Sequence, residues 1–352
     1  MDGIEFCTRH MPLWHPLCIA GYDMRELGIN AAQELAFSFA EALVYIRAAL
    51  NRGLEIDQFA PRIVFSFGAN IDFFEEIAKV RAARRIWARM LKEELGAKDH
   101  RSWKLKVSMK TSGSSLTTQQ PINNIIRTTI EALAAVLAGC QSMEPCGYDE
   151  AIAEPSEEAA TVALNLQHIL SYETGVVNTP DPLGGSYYLE SLTNQIEEGT
   201  RELLRKVEEL GGMRAATEKG WCRQEVQRAY VERLRETNNR KRIVVGVNDF
   251  AVPKEKEIPL PLKRYRKKDQ EIFQENIQRQ VKNLRARRDN AQVKNALEAL
   301  KKAAEKGEKE NLVRPMINAY KAYATMGEIL GTIRLAYGYD YDPFGCLEYP
   351  FA

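Results

Sequence analysis

A short apolar run near the start of the chain ends in two polar residues, Tyr22 and Asp23. The segment from Ile19 to Asn30 is typical of a strand that is followed by a charged turn and then by a long helix. A tyrosine hydroxyl can donate or accept a hydrogen bond, whereas an ionised aspartate can only accept one. These two side chains are therefore the first candidates for a functional site, at the point where a strand meets a helix.

Two further strand candidates place polar and apolar residues on opposite faces, because successive side chains of a strand alternate. In the later strand one face carries Lys104, Lys106, Ser108 and Lys110, and the other carries Leu105, Val107 and Met109. In the earlier strand Arg62, Val64 and Ser66 lie opposite Ile63, Phe65 and Phe67. Inside a closed barrel, a lumen lined by Lys, Arg and Ser predicts a passage for a polar, anionic ligand. Exposed positions at a sheet edge would give the same pattern, and spacing alone does not decide between the two.

The elements that would position these residues alternate regularly in the N-terminal part of the chain. Strand candidates lie at 15–22, 61–67 and 103–109, and each is followed by a helix candidate, at 30–50, 71–95 and 121–137. Such alternation is the signature of parallel strands covered by helices, so the sequence predicts an α/β fold. Three strand–helix units are too few to close a barrel of eight strands.

The remainder of the chain is predicted to be mostly helical. Helix candidates cover 156–172, 190–210, 269–306 and 312–337, and one short strand is predicted at Arg242–Asn248. The proline-spaced, basic stretch at 253–268 has the composition of an extended linker. The many charges of 269–306 indicate a solvated helix face.

The composition excludes several classes of protein. The 352 residues carry a formal net charge of +1, which gives no support for binding to nucleic acid or to a membrane surface. The six cysteines include no CxxC pair, which favours reduced thiols over a disulfide framework or a zinc site. No apolar run reaches the length of a membrane span, and the N-terminal residues lack the apolar core of a signal peptide. We therefore expect a cytoplasmic protein without a metal site.

Several stretches of the sequence, in the same order, carry a resemblance to a known family. They are GYDMRELG, FAPRIVFSF, FFEEIAKVRAARRIWARM, TSGSSLTTQQPINNIIRTTIEALAAVLAG, DPLGGSYYLE, IVVGVN and TMGEI. From the N-terminus to about Tyr337 the chain closely resembles the large, substrate-binding subunit of methylmalonyl-CoA mutase and of related acyl-CoA mutases. The matched stretches cover nearly the whole chain but only the C-terminal portion of the family's subunit.

The resemblance implies a (β/α)₈ barrel, or TIM barrel, with the CoA chain threaded through its centre. This chain would supply the last three strands with their helices at residues 1–185, followed by a helical and extended segment at 186–352. It would contain no cobalamin-binding domain, since none of its four histidines lies in an Asp-x-His-x-x-Gly motif. The cofactor adenosylcobalamin, which starts the radical rearrangement in the family, would be held mainly by a small partner subunit. A separate N-terminal mutase half would complete the barrel.

The resemblance also implies roles for individual residues. Tyr22 matches an active-site tyrosine, and Asp23 stands where methylmalonyl-CoA mutase has a histidine that bonds the thioester carbonyl; both are assigned to catalysis. The positions assigned to substrate and CoA binding are Arg62, Val64, Ser66, Lys106, Ser108, Lys110 and Gln141. Lys110 replaces a glutamine of the family, and the stretch QSMEPC at 141–146 departs from the usual Gln-Ser-Leu-His-Thr-Asn.

Asp23 leaves several alternatives open. It could be protonated by burial, or it could accept a hydrogen bond from a substrate hydroxyl or from Lys110. It could also merely cap the following turn. We favour a changed substrate, an acyl-CoA that is hydroxylated or bulkier. The predicted function is thus part of an adenosylcobalamin-dependent acyl-CoA mutase; the alternatives are a non-catalytic chain that pairs with an intact mutase, or a truncated remnant.

Overall fold

The computed structural model describes residues 1–253 and 267–351, and the linker predicted at 253–268 lies almost wholly outside them. The chain forms a small unit from Met1–Pro12 and Tyr265–Ala352, and a large unit from Leu13–Arg264. The domain boundary predicted at residues 185 and 186 falls inside the large unit. Every candidate site residue also lies in the large unit.

The large unit alternates strands with helices in its first half and is helical in its second half. Its strands are β1 (Leu17–Ala20), β2 (Ile63–Ala69), β3 (Val107–Thr111) and β4 (Ser142–Glu144).

The helices of the described residues, in chain order, are α1 (Asp2–His10), α2 (Tyr22–Glu26), α3 (Ala31–Asn51), α4 (Ile56–Phe59), α5 (Phe73–Arg89), α6 (His100–Trp103), α7 (Asn123–Leu137), α8 (Glu157–Tyr172), α9 (Tyr187–Glu209), α10 (Gly212–Glu218), α11 (Trp221–Asn238), α12 (Lys267–Arg287), α13 (Asn290–Ala304), α14 (Val313–Lys321) and α15 (Met326–Ala336).

The four strands of the large unit form one parallel sheet in the order β1-β2-β3-β4. The register pairs Ala20 with Ser66, Ser66 with Ser108, and Ser108 with Ser142. The three predicted strands are confirmed, although β3 begins four residues later than predicted, because Trp103 ends α6 and residues 104–106 connect this helix to the strand. Strand β4 was not predicted. The α/β class is therefore confirmed, while the place of these strands in a closed barrel stays a prediction.

The core of the large unit lies between the sheet and the helices α3 and α5. Phe65 and Phe67 of β2 are fully buried, and so are Phe39 of α3 and Trp87 of α5. The ring centroids of Phe39 and Phe65 are 5.3 Å apart, and those of Phe65 and Trp87 are 5.0 Å apart. The intervening positions in the first part of β2 are only partly buried, so the predicted separation of the two faces is confirmed.

The strand predicted at Arg242–Asn248 is wrong. Gly246 has a φ of +84°, which a left-handed turn requires, and its amide donates to the carbonyl of Asp249 at 2.8 Å. The side chain of Asn248 accepts a hydrogen bond from the amide of Val244 at 2.7 Å. These local bonds satisfy the backbone in place of a neighbouring strand. Helices α10 and α11, which precede this turn, were not predicted.

Each of the two helices predicted for the small unit, at 269–306 and 312–337, is a pair of helices. The first pair breaks at Asp289, whose carboxylate accepts hydrogen bonds from two amides in the first turn of α13. The second pair breaks at Thr325, whose hydroxyl accepts from the amide of Glu328 while the carboxylate of Glu328 accepts from the amide of Thr325. This capping box explains why α15 begins there.

Candidate active site

The turn after β1 places Tyr22 at the carboxyl end of the sheet. Gly21 lies between β1 and α2, where a Cβ atom would come within 2.5 Å of the Ser38 hydroxyl oxygen and 2.9 Å of Glu34 Cγ. A larger residue would have to displace α3, so only glycine lets α2 begin this close to the core. Tyr22 is consequently partly buried at the edge of the sheet where β3 ends.

Lys110 and Glu144 lie opposite each other on β3 and β4 and form an ion pair beside Tyr22. The Nζ atom of Lys110 lies 3.4 Å from Oε1 of Glu144 and 5.1 Å from the centroid of the Tyr22 ring, a cation–π distance. Burial acts to lower the pKa of Lys110, but the charge and hydrogen bond of Glu144 raise this pKa above its usual value. Lys110 is therefore a cation at neutral pH. Glu144 was not among the predicted site residues.

The phenol of Tyr22 is held in its neutral form. Burial raises the pKa of this hydroxyl, and the carboxylates of Glu26, Glu150 and Asp23, together with the thiol of Cys146, raise it further. A neutral phenol can donate a hydrogen bond to an oxygen atom of a ligand, but it does not act as a base at physiological pH.

Asp23 is exposed on the first turn of α2. Its carboxylate makes no hydrogen bond or ion pair with another residue in 1–253 or 267–351, Lys110 included. The residue before α2 is Gly21, and no side chain caps this helix. A capping role for Asp23 is thus not observed, and its carboxylate is available to accept a hydrogen bond from a ligand.

The loops that follow β3 and β4 are held by internal hydrogen bonds. Glu26 of α2 accepts from the amide of Ser114 at 2.6 Å and from the hydroxyl of Ser112. After β4, the amide of Cys146 donates to the hydroxyl of Thr111 at 2.8 Å, and its thiol donates to the carbonyl of Thr111 at 3.2 Å. Burial raises the pKa of this thiol to about 12, so Cys146 is not a nucleophile at neutral pH.

A cavity of about 410 Å³ opens beside the ion pair and is lined in part by Lys110, Glu144, Glu150 and Leu164. Two of these residues also act on Tyr22, since Lys110 faces its ring and Glu150 raises the pKa of its hydroxyl. We refer to these residues together as the carboxyl-end cluster: Tyr22, Asp23, Glu26, Lys110, Glu144 and Glu150.

The middle of the polar sheet face carries small side chains. Ser66, Ser108 and Ser142 lie in one row across β2, β3 and β4, and the hydroxyl of Ser142 donates to that of Ser108 at 2.9 Å. In the adjacent row toward the amino ends of the strands, Cys18 lies opposite Val64. The row across the middle of this face is therefore made of short, polar side chains.

The predicted residues Arg62, Lys106 and Gln141 lie at the amino ends of the strands, away from the carboxyl-end cluster. Arg62 is buried in the turn before β2, and its guanidinium donates to the carbonyl of Gln58. Lys106 immediately precedes β3, and burial together with the charge of Arg62 lowers its pKa. The side-chain oxygen of Gln141 accepts from the first amide of β3 at 2.7 Å, so Gln141 positions this strand.

A buried ionic network fastens α2, which begins with Tyr22, to the helices behind it. Arg25 lies 2.5 Å from Glu75 and 2.6 Å from Glu76, and Lys79 lies 2.6 Å from Glu34. Burial raises the pKa of Glu34, although the charge of Lys79 acts in the opposite direction. Charges at this depth are tolerated only when they are paired.

Residues 1–253 and 267–351 show neither a metal site nor a membrane-spanning helix. No group of three or more His, Cys, Asp or Glu side chains is arranged to hold a metal ion. Within the same ranges, no helix has the length and apolar character needed to cross a membrane.

The sequence of this chain matches a family of known proteins. The family model described as Methylmalonyl-CoA mutase matches residues 1–339. The chain belongs to the methylmalonyl-CoA mutase family. The family resemblance of the sequence is thereby confirmed.

Three relatives in this family illustrate the match. Methylmalonyl-CoA mutase of Escherichia coli strain K12 is 39% identical over 347 residues, which are 98% of this chain and 47% of that protein. Methylmalonyl-CoA mutase of Rhizobium meliloti strain 1021 is 40% identical over 337 residues, or 96% of this chain and 46% of that protein. The 2-hydroxyisobutanoyl-CoA mutase large subunit of Aquincola tertiaricarbonis is 38% identical over 338 residues, or 96% of this chain and 59% of that protein. The chain thus spans about half the length of the curated relatives it matches.

The structure brings together some of the predicted site residues and separates others. Tyr22, Asp23 and Lys110 belong to one cluster, whereas Arg62 and Gln141 are engaged elsewhere by backbone groups. The roles assigned to these positions stay predictions. A signal for Glu144 was present in the sequence, since it lies in the stretch QSMEPC that departs from the family pattern.

Proposed function

We propose that this member of the methylmalonyl-CoA mutase family is part of an acyl-CoA mutase, which rearranges the carbon skeleton of an acyl-CoA. The observation that carries the proposal is the charge distribution along the polar face of the sheet. Arg62 and Lys106 lie at the amino ends of the strands, and Tyr22 and Lys110 lie at the carboxyl ends. Lys106 and Lys110 are separated by about 13 Å along β3.

A CoA thioester has a matching asymmetry. Its anionic phosphates are at one end and its thioester is at the other. In the proposed complex the phosphates approach the cationic amino ends, and the pantetheine chain runs over the row that contains Ser66 and Ser108. The acyl group then lies in the carboxyl-end cluster, where the neutral Tyr22 donates to an oxygen of the substrate. Asp23 accepts from a hydroxyl of the acyl group.

Adenosylcobalamin is, in this proposal, held by another chain. None of the four histidines of this chain lies in an Asp-x-His-x-x-Gly motif, and none lies at the carboxyl ends of the strands. His15 precedes β1, His100 begins α6 and His168 lies in α8, while His10 belongs to the small unit. The residues of this chain therefore do not fit a cobalt site. The bound cofactor would supply radical initiation, and this chain would hold and orient the acyl-CoA.

We further propose two partners, an N-terminal mutase half that completes the barrel and a small cobalamin-binding subunit. The first would correspond to the part of the curated relatives that this chain does not match, since the chain covers about half of their length. The sheet supports this partner, because β1 and β4 are its outermost strands and their outer edges can pair with further strands. The name of the Aquincola relative, a large subunit, is consistent with an assembly of subunits. The cytoplasmic location stays a prediction.

The test is affinity purification of the full chain from its native host, followed by mass spectrometry and an acyl-CoA isomerisation assay. We expect a chain with the missing strands and a cobalamin-binding subunit to copurify in constant proportion, and the complex to isomerise an acyl-CoA. Copurification with an intact mutase, without activity of its own, would instead support a non-catalytic chain. Recovery of aggregated chain without partners would contradict the proposal.

A further inference from the structure

Negative charge is concentrated around Tyr22. Glu26, Glu150 and Asp23 all lie near enough to raise the pKa of its phenol beyond the effect of burial. Glu26 is already bonded to the amide of Ser114, whereas the carboxylate of Asp23 is open to a ligand. The position proposed for the acyl group is therefore bordered by carboxylates.

Lys110 is the one cation of the carboxyl-end cluster, and its charge is already compensated. Glu144 lies 3.4 Å from its ammonium group, and Glu150 also acts on its pKa. The side chain of Glu144 is 73% exposed, so it is not needed to fill the core. The cluster as a whole carries more negative than positive charge. A ligand group with its own negative charge would be repelled there, whereas a neutral group would not.

We propose that the Lys110–Glu144 ion pair sets the acyl specificity of this site, and that the site selects acyl groups without a second carboxylate. An ammonium group has three N–H donors. One is directed to Glu144 and the ammonium also faces the ring of Tyr22, which leaves a donor for the thioester oxygen. A hydroxyl on the acyl group would find an acceptor in Asp23. Glu144 acts through Lys110 and is a specificity-determining residue without touching the substrate.

This inference rests on the proposed function as an acyl-CoA mutase and names the substrate class of the same site. It is tested with two ligands of nearly equal shape, methylmalonyl-CoA and isobutyryl-CoA, which differ by a carboxylate in place of a methyl group. Their affinities for the complex purified from the host are measured by calorimetry, with CoA itself as the reference. We expect isobutyryl-CoA to bind more tightly than methylmalonyl-CoA.

A series of variants then changes the net charge of the cluster in steps. Glu144→Gln frees the charge of Lys110 and should raise the affinity for methylmalonyl-CoA relative to isobutyryl-CoA by about tenfold. Lys110→Gln should lower the same ratio, and the double variant should return it close to the wild-type value. Glu218→Gln, on the exposed end of α10, is the matched control and should leave the ratio unchanged.

The outcomes separate the inference from the proposed function. An affinity ratio of methylmalonyl-CoA to isobutyryl-CoA that follows the charge series supports the inference. A purely structural role for Glu144 would instead weaken the binding of both ligands alike. A ratio that does not respond to these variants overturns the inference, while binding of either acyl-CoA more tightly than CoA keeps the proposed function. Failure of both acyl-CoA ligands to bind more tightly than CoA overturns the proposed function and the inference with it.

Discussion

Glu34 and Lys79 bind the two backbone groups of a single residue, Gly68. Oε1 of Glu34 accepts from the amide of Gly68 at 2.8 Å, and Nζ of Lys79 donates to its carbonyl at 2.5 Å. The two side chains also pair with each other at 2.6 Å, and both are fully buried. Helices α3 and α5 thus hold β2 through its main chain. A Cβ atom at Gly68 would come within 2.8 Å of Arg25 Cγ, so the position also requires glycine.

Lys79→Met is expected to destabilise the chain by about 3–5 kcal/mol, because the buried carboxylate of Glu34 loses its nearest cation and that of Glu76 is left with Arg25 alone. Urea unfolding followed by circular dichroism measures the change. Lys98→Met, at an exposed position, is the control and should be nearly neutral. Adding Glu34→Gln should restore part of the lost stability. A cost for Lys79→Met no greater than that of the control would show that the network is not needed for stability.

Gly21→Ala should cost about 1–3 kcal/mol, because the added methyl group meets the Ser38 hydroxyl and the stem of Glu34. The same change displaces Tyr22, so the affinity for an acyl-CoA should fall together with stability. Gly327→Ala is the control, since Gly327 is exposed in α15 and no atom lies near its added methyl group. It should stabilise its helix by up to about 1 kcal/mol. Equal effects at the two glycines would contradict the steric argument.

Glu131 predicts a pH dependence of stability. Burial raises the pKa of this carboxyl to about 8, from an unfolded value of 4.5, even though hydrogen bonds from Ser115 and the amide of Ser112 act to lower it. Between these two values the folded state binds more protons than the unfolded state. Its contribution to stability is therefore fully present below pH 4.5 and is lost as the pH rises through about 8.

Glu131→Gln should remove this contribution, so the free energy of unfolding of the variant should fall less between pH 4.5 and pH 8 than that of the wild type. The difference is on the order of 2–4 kcal/mol. Urea unfolding at a series of pH values measures it, with the exposed Glu198→Gln as the matched control. Parallel pH profiles for wild type and Glu131→Gln would mean that Glu131 is ionised in the folded state at neutral pH.

Arg288→Lys tests the small unit. Arg288 holds the buried carboxylate of Glu328 through two hydrogen bonds of 2.7 Å, and it also donates to the carbonyl of Tyr323. Lysine keeps the charge but cannot form the paired bonds, so a loss of about 1–3 kcal/mol is expected. The neighbouring Arg287→Lys is exposed and should change stability by less than about 0.5 kcal/mol. Thermal unfolding that does not distinguish the two variants would argue against the paired geometry.

The sequence predicts those parts of the fold that depend on local pattern. Alternation of apolar and polar residues identifies β2 and β3 together with their buried faces, and helical spacing identifies α3, α5 and α7. Strand β4 is not predicted, because three residues are too few to show the alternation of a strand. The run Arg242–Asn248 is misleading for the opposite reason. Its β-branched residues favour a strand, but Gly246 and the side chain of Asn248 close a turn.

The candidate site also contains residues that the sequence predicts and contacts that it does not predict. Tyr22, Asp23 and Lys110 could be chosen from the sequence, because their residue types and positions at strand ends are visible in it. The partnership of Lys110 with Glu144 could not, since it depends on the register between β3 and β4. The engagement of Gln141 with the first amide of β3 is likewise a property of the folded chain.

The polar face of the sheet has cations at one end and the carboxyl-end cluster at the other, and this gives the face a direction. The field attracts the phosphate end of an elongated molecule to the cationic end of this face and repels it from the carboxyl-end cluster. One orientation of the molecule is therefore favoured before any close contact forms. Orientation by the field then precedes recognition of the acyl group. Raising the ionic strength should therefore slow loading of the ligand more than it hastens its release.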